Sequence, residues 1–269
     1  MRVFHTSEKI CQLRYERVNK NKSCQVVVPL MKIAKWASKN VPEPILYFLR
    51  PVYREVRRIR DSAFALLDSL GVVGPDAIYG EDYYAKRRHD PWRSDSRAVG
   101  SAINEYFEPD SVVDFGCAIG AHLELFYENE VTIKGVEGNS KAFDHAVVPQ
   151  KFLEEHDLRN RYEPEREYDL ALCFEVAEHI PERYADTLVA TLVEAGDTIV
   201  MTAATPGQDG THHVNEQPRE YWYEKFNSHG YEYDQETVDD LSDKIVVEQS
   251  TWIPENLMVF RNSASLDLE

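Results

Sequence analysis

The run VVDFGCAIGAH at 112–122 constrains this chain more than any other stretch. An apolar strand pattern carries Asp114 at its end, Gly116 and Gly120 follow, and AHLELFY at 121–127 then reads as a helix. Gly116 lets the main chain approach a ligand closely, and Gly120 permits the tight turn into the helix. At the C-terminal edge of a strand such a loop makes the usual crevice for a nucleotide-like ligand. Ala118 stands where the GxGxxG dinucleotide fingerprint has its second glycine, so the loop suits a pyrophosphate poorly. A buried acid at Asp114 has the wrong sign for a phosphate and the right one for an amino group.

Around this unit the pattern alternates strand and helix, which predicts an α/β fold: a parallel, doubly wound sheet with helices on both faces. A helix capped within 94–96 buries Ala98, Val99, Ala102, Ile103, Tyr106 and Phe107. Strands are expected at 111–115, 131–137, within 151–157, at 168–174 and at 197–203. Helices are expected at 139–148, 182–194 and 218–230, with final strands near 245–247 and 257–260. Before this body, 51–70 reads as a helix with Pro51 in its first turn, and the Gly-rich 71–80 as a linker. The division is a basic arm at 1–75, a domain at 76–263 and a tail at 264–269.

Charge separates the same two regions. Residues 1–61 hold 14 Lys+Arg against 5 Asp+Glu, leaving 16 basic and 42 acidic residues in 62–269, a balance of −26. Such a body repels nucleic-acid phosphate, so nucleic acid is a disfavoured acceptor. Its lysines number only six, and surplus carboxylate with scarce lysine fits a halophilic source, where salt screens the repulsion. The arm's amphipathic helix, crowded with Arg54, Arg57, Arg58 and Arg60, suits an acidic membrane surface or docking on the body. No apolar run is long enough to span a bilayer, and no export signal is visible, so a cytoplasmic protein is expected, at most touching the inner membrane face. Cys11, Cys24, Cys117 and Cys173 are far apart with no histidine at metal spacing, which predicts reduced thiols and no metal site.

Further acids follow in order. Glu137 ends the second strand, 17 residues after Gly120, where a carboxylate can accept both ribose hydroxyl protons. Asp157, or the amide after it, can read an adenine amino group. CFEVAEHIPE at 173–182 puts Glu175 on the same crevice. DFGCAIG, VEGNS, HDL and YDLALCFEVAEHIP, in this order and spacing, resemble the successive motifs of the class I S-adenosylmethionine (SAM)-dependent methyltransferases. The resemblance covers about 79–261 and implies the seven-stranded Rossmann-like sheet of that family, with SAM as cofactor. It implies Asp114, Gly116, Cys117 and Gly120 around the methionine moiety, Glu137 with Gly138 and Asn139 at the ribose, and Asp157 with Leu158 at the adenine. Ala118 departs from the glycine that many members carry there. AIYGEDYYAKRRHDPW at 77–92 resembles the family's N-terminal helix that closes over the cofactor, with Tyr79 placed to touch it.

TPGQDGTHHVNEQPREYW at 205–222 follows the fifth strand, on the rim where an acceptor would sit. An H-x-N followed by Y-W is similar to methyltransferases of sugar and natural-product modification. Methyl transfer from a sulfonium is an in-line displacement that needs no metal; a hydroxyl acceptor needs a base, for which His213, His212 and His179 are the candidates. A carboxylate acceptor needs only orientation. The resulting expectation is transfer to an oxygen of a sugar or other small acceptor, in particular a uronic acid of a lipid-linked glycan, as in the haloarchaeal surface-glycan and N-glycosylation pathways. The alternatives are RNA or a small metabolite as acceptor, a non-catalytic SAM-binding subunit, and a nicotinamide-dependent oxidoreductase.

Overall fold

The computed structural model describes residues 79–266 apart from 209 and 211. The helix expected at 51–70, the rest of the 1–75 arm and the end of the tail lie outside the described residues. The described helices are α1 (Glu81–Arg87), α2 (Trp92–Phe107), α3 (Glu124–Glu128), α4 (Ala185–Ala195), α5 (Arg219–Asn227), α6 (Gln235–Lys244), α7 (Trp252–Asn256) and α8 (Ser263–Leu266). The strands are β1 (Ser111–Phe115), β2 (Thr132–Glu137), β3 (Leu153–Glu155), β4 (Leu170–Cys173), β5 (Thr198–Thr202), β6 (Tyr231–Tyr233) and β7 (Leu257–Asn262). They form one seven-stranded sheet in the order β3-β2-β1-β4-β5-β7-β6.

β3, β2, β1, β4 and β5 pair in parallel, whereas β7 runs antiparallel to both β5 and β6. From β1 the chain winds outward first through β2 and β3, then returns to place β4 on the other side. The crevice beyond the C-terminal ends of β1 and β4 is therefore the topological switch point, where ligands of open α/β sheets bind. Helices cover both faces, so the central strands read as continuous apolar runs; every residue of β1 and β4 is buried. On one face Leu188, Val189 and Leu192 of α4 and Trp222 and Phe226 of α5 pack on Val113, Phe115 and Ala171. On the other, Val99 and Ile103 of α2 and Val238 and Leu241 of α6 pack on Val112, Leu170 and Leu172.

Four expectations change. Helix α2 begins at Trp92, so the residues expected to cap it lie inside its first turns: Ser94 Oγ donates to Asp90 Oδ1 at 2.6 Å, and Asp95 turns inward. Segment 139–148 forms only a 3-10 helix, Ser140–His145, because the β-branched Val147 and Val148 and then Pro149 oppose a longer one. The helix expected at 121–127 shortens to α3. No strand forms at 245–247: Asp234 caps α6, its Oδ1 accepting the Thr237 amide at 3.0 Å, and Ile245 ends that helix. The missing strand is β6, on the near side of that cap.

Candidate active site

The loop after β1 is held by its own main chain. The amides of Gly116 and Cys117 donate to Val136 O at 2.7 and 3.1 Å, and the Gly120 amide to Cys117 O at 2.8 Å. Gly116 and Gly120 have φ +79° and +75°, which only glycine adopts at no cost. A Cβ on Gly116 would also stand 2.2 Å from Cγ2 of Val176, in the loop after β4. Ala118 takes φ +48° as well, so the loop keeps its left-handed turn without glycine, at about 1–2 kcal/mol of strain.

Beneath the loop lie groups that do not face the cavity. The Cys117 side chain belongs to the core, so only its main chain borders the loop. Asp114 is 1% exposed, its Oδ2 has no hydrogen-bond partner, and His122 Nδ1 lies 3.8 Å from it. Asn139 is buried too; its Nδ2 donates to Tyr79 O at 3.1 Å, fastening the segment before α1 to the end of β2.

Three acids ring the crevice, each held differently. The Glu137 carboxylate accepts the Ala118 amide through one oxygen and the Asn139 amide through the other, both at 2.9 Å. Burial raises its pKa to about 7 against the pull of those amides. Asp157 is gripped by Arg159, whose Nε reaches Oδ1 at 2.9 Å and whose terminal nitrogen reaches Oδ2 at 2.6 Å. Burial alone would raise the Asp157 pKa, but the guanidinium and the Arg159 amide hold it below the usual range. Glu175 sits at φ +56° with its amide donating to Thr202 Oγ1 at 2.9 Å, and burial raises its carboxyl.

These groups line one open cavity. Tyr79, Tyr83 and Tyr84 close one side, and Gly116, Ala118, Glu137 and Gly138 form the part beneath the glycine loop. Asp157, Leu158 and Arg159 line one flank; Glu175, Val176, His179, Ile180 and His212 line the other. The sequence reading did not place Arg159, Val176 or Ile180 here. Val176 and Ile180 read as ordinary apolar residues, and Arg159 carries no motif.

At the His179 end two loops are clasped together. The amides of Val214 and Asn215 donate to Glu178 O at 2.8 and 3.1 Å, laying the loop after β5 against the 3-10 turn Ala177–His179. His179 Nδ1 lies 3.1 Å from both Tyr79 Oη and His212 O, and burial pushes this imidazole down to about 3, so it is neutral. His213 Nδ1 lies 2.9 Å from Glu216 Oε1 and 3.2 Å from Gln208 O. The His179 and His213 rings meet edge to face with centroids 5.1 Å apart. His213 thus stands behind the cavity wall, whereas His179 and His212 are part of it.

A seven-stranded sheet with one reversed strand, a glycine loop after β1 and an acid ending β2 define a class I SAM-dependent methyltransferase with a Rossmann-like fold. The chain belongs to the methyltransferase-domain family, whose profile matches residues 84–244. No curated protein matches the sequence. Among solved structures, the sugar N-methyltransferase KedS8 from a Streptoalloteichus species superposes with a TM-score of 0.51 at 16% identity, over 71% of this chain and 98% of its own. The amino pentose methyltransferase CalS10 from Micromonospora echinaspora gives 0.49 at 16% identity, over 68% and 98%. Magnesium protoporphyrin IX methyltransferase from Synechocystis gives 0.45 at 16% identity, over 58% and 89%. At these identities the likeness is one of fold.

The residues present fit SAM. Gly116 leaves a gap beside Val176 that any Cβ would fill. Glu137 borders the cavity with lone pairs to spare beyond its two amides. SAM is the cofactor, and the protein is a methyltransferase.

Proposed function

We propose that the chain methylates an oxygen, hydroxyl or carboxylate, of a sugar or similarly small acceptor. When bound, SAM supplies an electrophilic methyl group on a sulfonium. Glu137 then takes the ribose hydroxyls while the Ala118 and Asn139 amides keep its carboxylate aimed. Asp157, fixed by Arg159, and Leu158 border the adenine end, and Gly116 with the Ala118 turn carries the main chain against the methionine moiety. Tyr79, Tyr83 and Tyr84 keep water from the reacting end. His179 and His212 border the acceptor end of the cavity, with His213 packed behind them, and are the imidazoles nearest an acceptor hydroxyl.

The observation that carries this reading is the clasp of the 212–215 loop on Glu178 O, because it brings His212 and His213 to the same end of the cavity as His179. A sugar is also what KedS8 methylates by its description. The particular acceptor we favour is a uronic acid on a lipid-linked glycan, with the 1–75 arm meeting an acidic membrane surface. Its support is the contrast between the basic arm and the −26 body. Purified protein incubated with methyl-labelled SAM and lipid or glycan extracts tests it. Label in a base-stable ether marks a hydroxyl acceptor and label in a base-labile ester marks a carboxylate. Label only in RNA, or in neither extract while the cofactor still binds, overturns the sugar reading.

A further inference from the structure

Glu178 is a fully buried acid beside the cavity. It is 0% exposed, and neither carboxylate oxygen has a hydrogen-bond partner. The amides of Glu178 itself and of Ala204 are near it but outside hydrogen-bond geometry. Glu175 lies against it with Oε1 also buried and unpartnered, so two neighbouring carboxyl groups share one poorly compensated space. Buried acceptors of this kind are costly, and a bound cation would compensate three of them in one place.

Two imidazoles face the same space. Glu178, His179 and His213 each offer a ligand atom, and the three atoms lie within 4.8 Å of one another. Each histidine has Nδ1 beside an oxygen, His212 O for His179 and Glu216 Oε1 with Gln208 O for His213. Contacts of this type fix ring orientation, as outer-shell partners do for metal-bound histidines.

We propose that Glu178, His179 and His213 form a site for one divalent transition-metal ion at the acceptor end of the cavity. Two imidazole nitrogens and one carboxylate suit Mn²⁺, Fe²⁺, Co²⁺ or Zn²⁺ and leave coordination positions open. Because His179 lines the cavity, those positions adjoin the acceptor, and an acceptor hydroxyl is the ligand they would take. Such a hydroxyl ionises more readily. Its proton passes to solvent, its oxygen bonds the methyl carbon, and the S–C bond breaks with its electron pair moving to sulfur. The products are a methyl ether, the thioether form of the cofactor and one proton, with no change in metal oxidation state. This assignment deepens the oxygen-acceptor reading above and rests on it.

The test uses the full chain without a histidine tag, stripped with a chelator and dialysed. Titration with Mn²⁺ alone, followed by loss of the free-ion electron paramagnetic resonance signal, should give one ion bound per chain. H179N and H213N should each weaken binding at least about tenfold, as should E178Q, with circular dichroism confirming the fold. Thermal stability should rise with Mn²⁺ in wild type and not in the variants. S-adenosylhomocysteine binding to the stripped wild type is measured in parallel. If it binds but neither Mn²⁺ nor Zn²⁺ does, or all three variants bind Mn²⁺ as wild type does, the metal site is overturned. If Mn²⁺ binds as described and S-adenosylhomocysteine does not, the site stands and the methyl-transfer reading falls.

Discussion

Tyr79 Oη lies 3.1 Å from His179 Nδ1, joining the segment before α1 to the turn after β4 across the mouth of the cavity. Its other fastening is Asn139 Nδ2 on Tyr79 O, so Tyr79 is held by one side-chain and one main-chain contact. Y79F removes the first and keeps the ring. A net hydrogen bond of about 1 kcal/mol predicts roughly fivefold faster release of S-adenosylhomocysteine, with association little changed. Stopped-flow fluorescence reads both rates.

Gly116 predicts a larger effect. G116A meets Val176 Cγ2 and forces a β-carbon into φ +79°. Positive φ alone costs about 1–2 kcal/mol, and displacing Val176 adds to it. Denaturant unfolding should show a loss of at least about 2 kcal/mol, and calorimetry should show no cofactor binding. G116A/V176A should recover part of the stability, since the clash is with that side chain.

Glu137 sets a pH dependence. Its folded pKa, raised by burial to about 7, exceeds that of an unfolded glutamate. Its contribution to stability is therefore fully present at acid pH, below the unfolded value, and is lost as pH rises through about 7. Ribose binding runs the other way, because two hydroxyls need an ionised acceptor. S-adenosylhomocysteine affinity should fall about tenfold per pH unit below 7, and E137Q should bind weakly with a flat profile across the same range.

Asp95 holds helix α2 to the chain ahead of α7, accepting the amides of Glu248, Gln249 and Ser250 at 2.8, 2.9 and 2.7 Å. Burial alone would raise its pKa; the three amides outweigh that and lower it. The stability it provides is present above the pKa of an unfolded aspartate and disappears as pH falls through the lower folded value. D95A leaves three amides without their acceptor and should cost about 2–4 kcal/mol. Unfolding curves at pH 7 and pH 3 check it, and the gap between wild type and variant should shrink at the lower pH.

The centre of the sheet was legible because β1 and β4 are buried throughout and read as apolar runs, with Asp114, Glu137 and Asp157 at or near the ends of β1, β2 and β3. Residues 231–233 were not: a three-residue edge strand of Tyr, Glu and Tyr carries no period, and its partners lie 27–31 residues downstream. The cofactor side of the cavity was legible for a related reason, since each strand end delivers its own acid. His179 and His213 stand out in the sequence as candidates, but Glu178 and the meeting of the three do not, because 34 positions separate the two histidines and contacts between distant loops bring them together. Neither residue type nor spacing signals such a contact.

That main-chain clasp has a bearing on how sequences of this kind diverge. Val214 and Asn215 reach Glu178 through amide and carbonyl groups that every residue but proline can supply. Part of the attachment of the 206–217 loop is thereby independent of its side chains, with Asn215 and Gln208 supplying the rest through Ala177 O and Asn256. A lineage can rewrite the exposed side chains of that loop for a new acceptor while the two amides keep it against the turn after β4.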